Sequence, residues 1–150
     1  MEDFLEDTVN IREISLNDAE AIQTIRRAIS EEDAQVDFVK IIEQQISEGA
    51  DKSSLVAQIN GEVVGYMIST VLLAGFGIKK SAWIMAIGVH PDFMGRGIGL
   101  KLGKKICDIY KDNGIKHIYS SVLWDSTDVL SFFKKLGFER SDFINLKKKL

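Results

Sequence analysis

Apolar residues alternate with polar ones, or cluster in short β-branched runs, along the segments that we predict to be strands. Asn60 and Gly61 separate the second strand from the third, and this pair favours a type I′ turn because both central residues need positive φ. The second, third and fourth strands should therefore form an antiparallel meander. The predicted strands cover residues 9–14, 54–59, 62–74, 81–89 and 115–124, followed by two closing strands at 138–140 and 143–149.

Four segments carry apolar residues at three- and four-residue spacing, which is typical of helices that bury one face. Their apolar faces are Ala21, Ile22, Ile25 and Ile29; Val36, Val39, Ile42 and Ile46; Ile98, Leu102, Ile106 and Ile109; and Val129, Phe132, Phe133 and Leu136. The third helix connects the fourth strand to the fifth, so these two strands should be parallel. We expect an α/β (α+β) fold, with four helices and a mixed, mostly antiparallel sheet of about seven strands.

Composition fits one domain spanning residues 1–150. Charged residues make up 27% of the chain and hydrophobic residues 45%, the balance of a folded soluble protein. Ser69 and Thr70 interrupt the longest apolar run, which is far shorter than the roughly 20 residues that a bilayer span needs. A net charge of −3 argues against general binding to nucleic acid, which depends on neutralising many phosphates. We therefore expect neither a membrane nor a nucleic acid as a partner.

The first residues, MEDFLEDT, are acidic where a secretory signal would be basic and then apolar, so we predict a cytoplasmic protein. Cys107 is the only cysteine, so no disulfide can form within the chain. His90 and His117 are the only histidines, and two histidines alone seldom make a metal site. We predict no metal.

Three glycines at alternate positions, Gly95, Gly97 and Gly99, lie between the fourth strand and the third helix, in VHPDFMGRGIGLKLG. Glycines leave room for main-chain N–H groups to converge on a ligand, and a helix N-terminus adds partial positive charge. The loop therefore predicts an anion-binding site, with Arg96 as an added cation. The spacing fits neither the Walker pattern nor the dinucleotide fingerprint. A glycine-rich turn without any ligand is the other interpretation of this loop.

The stretch VHPDFMGRGIGLKL resembles motif A of the GNAT acetyltransferase superfamily, and FFKKLGFE, residues 132–139, is similar to a later motif of that family. The resemblance covers nearly the whole chain. It implies acetyl-CoA as the cosubstrate, with its diphosphate on the amides that follow Met94. It also implies that strands four and five splay apart around the pantetheine arm. The loop residues that would hold the diphosphate are Met94 (through its backbone), Gly95, Arg96, Gly97, Ile98 and Gly99.

By the same resemblance, Ile87, Gly88 and Val89 on the fourth strand would pair with the arm. Gly88 would also suit a local bulge. The Ile87 main-chain N–H would hold the oxyanion that develops during acetyl transfer. Ser126 stands where the family often has an asparagine, and Phe133 stands where many members have a proton-donating tyrosine. We expect both to line the cofactor site.

No side chain is clearly assigned as general base. The candidates in the connection between the first two helices are Glu31, Glu32 and Asp33, of which Glu31 is the leading one, and Asp125 follows the fifth strand. Ser120 and Ser121 alternate on that strand, so one of them, Ser120 in our assignment, should face the acetyl group.

The resemblance therefore predicts an N-acetyltransferase that moves an acetyl group to a primary amine by direct attack in a ternary complex. The acceptor would be a small-molecule or peptide amine. A non-catalytic acyl-CoA-binding or regulatory module is the alternative, because the usual tyrosine and strand-four carboxylate are missing. A homodimer is possible through the carboxyl-terminal strand.

Overall fold

The computed structural model describes residues 8–30, 36–49, 53–73 and 79–150. Its strands are β1 (Asn10–Glu13), β2 (Leu55–Ile59), β3 (Glu62–Leu72), β4 (Ser81–Val89) and β5 (Ile118–Tyr119), and its α-helices are α1 (Ala19–Ile29), α2 (Phe38–Ser47), α3 (Ile98–Asp112) and α4 (Thr127–Lys135). The strands form one mixed sheet in the order β1-β2-β3-β4-β5. The first four pair in an antiparallel manner and β5 pairs with β4 in parallel, as predicted.

The sheet described here has five strands, so the prediction of about seven was wrong. Residues 138–140 and 143–149 do not form strands. The Phe138 N–H bonds back to the Phe133 carbonyl and closes the end of α4, so it is not available to a ladder. The Ser141 hydroxyl accepts the Phe143 N–H, and such a local bond competes with strand pairing. Both predicted strands thus lose a donor to a neighbouring turn.

Two apolar layers cover the sheet. On one face, α3 packs Ile98, Leu102 and Ile106 against β2, β3 and β4, with Phe133 of α4 beside them. On the other face, α1 and α2 pack against a cluster that contains Tyr66 of β3. Both faces of the central strands are therefore buried, and ligand access has to come from an edge of the sheet or from the end of a strand.

Helix α2 buries only part of the predicted face: Ile42 is buried and Val36 packs against the same cluster. Phe38, Ile42 and Gln45 lie inside, whereas Val39 and Ile46 are each 44% exposed. The Phe38 ring meets the Tyr66 ring edge-on at 6.0 Å, and Gln45 donates a hydrogen bond of 2.9 Å to the Ser69 carbonyl. An aromatic contact and a polar one thus fix the rotation of the helix, which apolar spacing alone did not reveal.

An ion pair ties β1 to the turn that leads into α1. Arg12 donates two hydrogen bonds to Asp18, Nη2 to Oδ1 at 2.6 Å and Nη1 to Oδ2 at 2.8 Å. The Ser15 N–H also donates to this carboxylate, at 2.7 Å. Burial alone would raise the pKa of Asp18, but the bonds from Arg12 and Ser15 outweigh it and lower the pKa. Asp18 is therefore held in its ionised form.

Candidate functional site

Strand β4 contains a bulge at Met85. Ile68 pairs with Ala86 while the next residue, Ser69, pairs with Ile84, so Met85 has no partner on β3. Gly88 was predicted to suit a bulge, and that prediction was wrong, because Gly88 pairs regularly with Tyr66. The bulge lies three residues earlier, at Met85, where the sequence has no glycine that would indicate it.

Beyond the bulge, one edge of β4 turns its main-chain groups toward open space. The His90 N–H donates to the Val64 carbonyl at 2.8 Å, and Gly88 is two residues earlier in the same register, so both residues direct their main-chain groups toward β3. In an antiparallel pair the main-chain groups of successive residues alternate in direction, so the residues on either side of Gly88 point the other way. Ile87 and Val89 therefore direct their N–H and C=O groups away from β3.

Strand β5 leaves this edge early, and a cleft opens. The parallel ladder ends at the pair Trp83 and Tyr119, well short of the predicted strand 115–124. The next residue, Ser120, replaces the ladder with a side-chain bond, donating from Oγ to the Ile84 carbonyl at 3.1 Å. The strands are thus parallel at their start and separate beyond it, as predicted.

A cavity of about 200 Å³ lies in this cleft between β4, residues 120–123 that follow β5, and the beginning of α4. Four predicted site residues line it together: Ile87, Ser120, Ser126 and Phe133. Phe133 is only 6% exposed and presents a ring without a hydroxyl. The Ser126 side chain makes no capping bond to α4. The structure therefore brings the strand-four and helix-four predictions to one place.

The glycine turn follows β4 after the short helical turn Pro91–Phe93. Gly95 and Gly97 have φ values of 79° and 74°, and a Cβ on either would meet no atom within 4 Å. Among the residues that the structure describes, no backbone carbonyl accepts from the N–H groups of Gly95, Gly97, Ile98 or Gly99. Open amides at a helix N-terminus suit an anion. The turn therefore fits the diphosphate of a coenzyme, which is the ligand that the resemblance implies.

Gly99 has a packing role as well. A Cβ there would lie 3.0 Å from Cε2 of Phe132, so the glycine lets α3 approach α4. Ile98 is also a core residue, 1% exposed, and can offer a ligand only its main chain. Gly95 and Gly97 are therefore the glycines of the turn that border open space.

The flanking residues shape the turn. His90 accepts the Asp92 N–H on Nδ1 at 3.2 Å, which holds the short helical turn Pro91–Phe93 in place. The Arg96 guanidinium carbon lies 5.1 Å from the centre of the Phe93 ring. Met94 is half-exposed beside it. The histidine is therefore structural, and Arg96 lies at the turn beside the Phe93 ring.

Gly88 is required by a contact that the sequence did not reveal. A Cβ there would lie 2.6 Å from Cε1 of Tyr66 and 3.0 Å from its hydroxyl oxygen, so the ring lies directly over the glycine. Tyr66 is 3% exposed. Burial raises the pKa of the Tyr66 hydroxyl, and the positive charge of Arg26 on α1 opposes that rise.

Of the predicted bases, only Asp125 belongs to the described residues. Glu31, Glu32 and Asp33 lie outside them. Asp125 is exposed just before α4. Ser121 accepts a bond of 2.8 Å from the Asn145 amide. Of the two serines on this segment, Ser120 is the one anchored to β4.

The described residues contain no cluster of three or more His, Cys, Asp or Glu side chains that could hold a metal ion. Within the same residues, no helix combines the length and the apolar character needed to cross a membrane. His117 is exposed and stacks on the Tyr119 ring at 6.2 Å, with no role in the cleft.

Solved N-acetyltransferases share this fold. A ribosomal-protein-alanine N-acetyltransferase from Brucella melitensis biovar Abortus 2308 matches with a TM-score of 0.73 at 18% identity, over 95% of this chain and 99% of that one. AAC(6')-Iy, solved with the bisubstrate analogue CoA-S-monomethyl-acetylneamine, matches with a TM-score of 0.74 at 17% identity, over 95% and 99%. An aminoglycoside 6'-N-acetyltransferase from Acinetobacter baumannii, AAC(6')-Ih, matches with a TM-score of 0.73 at 16% identity, again over 95% and 99%.

The fold is therefore that of an N-acetyltransferase. A sequence profile of the acetyltransferase (GNAT) family matches residues 19–138 of this chain. The chain belongs to the GNAT acetyltransferase family. Membership implies an acyltransferase that uses acetyl-CoA, as the sequence motifs predicted.

Proposed function

We propose that this protein transfers an acetyl group from acetyl-CoA to a primary amine, by direct attack of the amine in a ternary complex. The observation that carries the proposal is the continuity of the site. The open edge of β4 at Ile87 and Val89 is followed, after the short helical turn Pro91–Phe93, by the turn at Gly95 and Gly97. The pantetheine arm of acetyl-CoA would lie along the strand edge, and the diphosphate of the same molecule would lie in the turn.

Each part of the site has a distinct task. The amides of residues 95–99 would bind the diphosphate, with Arg96 beside them and Met94 contributing its main chain. Ile87, Gly88 and Val89 would border the arm, of which Ile87 and Val89 offer hydrogen bonds. Ser126 and Phe133 would close the cleft from α4. This arrangement holds the thioester against β4 with its carbonyl facing main-chain donors.

The Ile87 N–H is the proposed oxyanion donor. It points away from β3 and toward the cavity that Ile87 lines. A fixed donor aimed at developing negative charge is worth about 3 kcal/mol in comparable sites. Because the donor is a main-chain group, the role does not depend on the side chain at this position. The oxyanion can therefore be stabilised without any particular side chain at position 87.

The acceptor is a small-molecule or peptide amine. The similar structures include a ribosomal-protein-alanine N-acetyltransferase and aminoglycoside 6'-N-acetyltransferases. Glu31 stays our candidate for the base, and Ser120 for a residue that contacts the acetyl group. A cytoplasmic location and a homodimer also stay predictions.

A binding module without turnover is the second candidate, favoured by the Phe133 ring where a phenol is usual. Calorimetry with acetyl-CoA, followed by a thiol-release assay over a panel of small amines and amino-terminal peptides, separates the two. Binding with release of CoA supports the transferase, and binding without release supports the module. Absence of binding at millimolar acetyl-CoA would refute both.

A further inference from the structure

The coenzyme of the proposed function, on which this inference rests, would fill only part of the cleft. Its diphosphate would lie at the glycine turn, and its arm would run from there past Val89 to a thioester near Ile87. Met85 lies two residues further along β4, on the side away from the turn, and lines the same cavity as Ile87. The acceptor amine therefore has to reach the thioester through the part of the cavity that Met85 borders.

Two large apolar residues lie at the opening of this cavity. Met85 is 64% exposed, and Leu123, which lines the same cavity from the segment after β5, is 73% exposed. A residue that lines a cavity and remains exposed lies at its entrance. The bulge turns Met85 outward, whereas the preceding Ile84 is 5% exposed and packs in the core. Exposed apolar groups beside a cleft are typical of binding sites.

The charges around the cleft do not favour an acceptor with several ammonium groups. All eleven residues that line the cavity have uncharged side chains. An adjoining pocket of about 580 Å³ shares residues 120–122 and Phe133 with the cavity. Its described lining contains two cations, Lys134 and Arg140, and one acid, Glu139. A second ammonium group on the acceptor would thus meet uncharged or net positive surroundings in this part of the protein.

We propose that the acceptor is a monoamine whose amino group is carried on an apolar group, and that Met85 and Leu123 select it by packing against that group. The amino group would enter the cavity first and reach the thioester beside Ile87, while the apolar group stays at the entrance. Both apolar surfaces lose their contact with water when they meet, which favours binding by about fourfold for each methylene buried. A polar acceptor gains nothing from this contact.

The first test compares acceptors of nearly equal basicity. Ethylamine, propylamine, butylamine and pentylamine differ only in chain length, so kcat/KM should rise about fourfold with each methylene until the chain extends past the entrance. Peptides that begin with leucine should likewise exceed peptides that begin with the similarly sized asparagine. A kcat/KM that is independent of both chain length and first residue would overturn the proposal. Absence of CoA release with every acceptor would instead overturn the proposed function, and the inference with it.

The second test concerns charge. Pentylamine and the diamine of the same length present the same chain, but the diamine has an ammonium group where pentylamine has a methyl group. That ammonium group would have to lie against Met85 and Leu123 without a counter-charge. We expect kcat/KM for pentylamine to exceed that for the diamine by at least about tenfold. A diamine that reacts as well as pentylamine, or better, would contradict the proposal.

The third test changes the two residues. Met85→Gln and Leu123→Asn keep the approximate size of each side chain and make its end polar. In the double variant the gain in kcat/KM for each methylene should fall from about fourfold to less than about twofold. The calorimetric affinity of Met85→Gln for acetyl-CoA should stay close to that of the wild type, because Met85 lies away from the turn.

Leu73→Asn is the matched control. Leu73 is 83% exposed and does not line the cavity, so this variant should keep the wild-type dependence on chain length. Melting temperatures of all three variants should lie close to that of the wild type, since exposed side chains contribute little to stability. A wild-type dependence on chain length in the double variant, or an equal loss of that dependence in Leu73→Asn, would overturn the proposal.

Discussion

The replacement Gly97→Ala tests the anion-binding turn most directly. Gly97 is the N-cap of α3 with a φ of 74°, and a Cβ on it would meet no atom within 4 Å. The fold therefore has space for the methyl group. The cost to folding is the left-handed backbone, about 1 kcal/mol for a residue with a Cβ. The protein should remain folded and slightly less stable.

The same methyl group would occupy the space through which a diphosphate approaches the amides. Losing one charge-assisted hydrogen bond costs about 2 kcal/mol, which corresponds to roughly a 30-fold weaker Kd. Isothermal titration calorimetry with acetyl-CoA measures this change. Urea unfolding measures the folding cost separately, so the two effects can be compared for one variant.

The chain supplies a matched control at the other end of α3. Gly114 has a φ of 78°, and a Cβ there would also meet no atom within 4 Å. Gly114→Ala should lose the same stability as Gly97→Ala and keep full affinity for acetyl-CoA. Equal affinities for the two variants, whether both weakened or both unchanged, would refute the assignment of the turn as the diphosphate site.

Other predictions concern packing and ionisation. Gly88→Ala should destabilise the fold by about 1–3 kcal/mol in urea unfolding, because its Cβ would press on the buried Tyr66 ring; a wild-type value would show that the ring moves aside freely. The lowered pKa of Asp18 gives stability that is complete above the unfolded pKa and is lost as the pH falls through the lower folded pKa. Acid unfolding should therefore begin at higher pH for Arg12→Gln than for the wild type, and coincident curves would exclude a role for the pair. Burial, followed by the charge of Asp108, raises the pKa of the Cys107 thiol, so alkylation at neutral pH should be slower than that of a free thiol, and equal rates would contradict this.

Local signals were sufficient for much of the fold. The pair Asn60 and Gly61 marked the hairpin, and both residues have positive φ, at 51° and 81°. The predicted strand 81–89 matches β4 at both ends. The glycine turn and α3 also lie where the sequence motif indicated. In each case the deciding residue and the structure it causes are close together along the chain.

The missed features depend on contacts between distant segments. Met85 becomes a bulge only through the register between β3 and β4, and no residue type marks that register. Gly88 needs the Tyr66 ring above it, 22 positions away in sequence. The closing strands failed because Phe138 and Phe143 give their N–H groups to nearby turns. The spacing of apolar residues does not reveal whether a main-chain N–H bonds to a neighbouring strand or to a nearby turn.

The bulge at Met85 changes which residues of β4 direct their main-chain groups toward its outer edge. Before it, even-numbered residues offer the outer edge their hydrogen bonds: the Ala82 N–H binds the His117 carbonyl, and the Ile84 carbonyl receives Ser120. After it, odd-numbered residues face that side. The first half of β4 can thus bond to β5, while its second half keeps main-chain groups available to a ligand. The single unpaired residue Met85 separates the two halves.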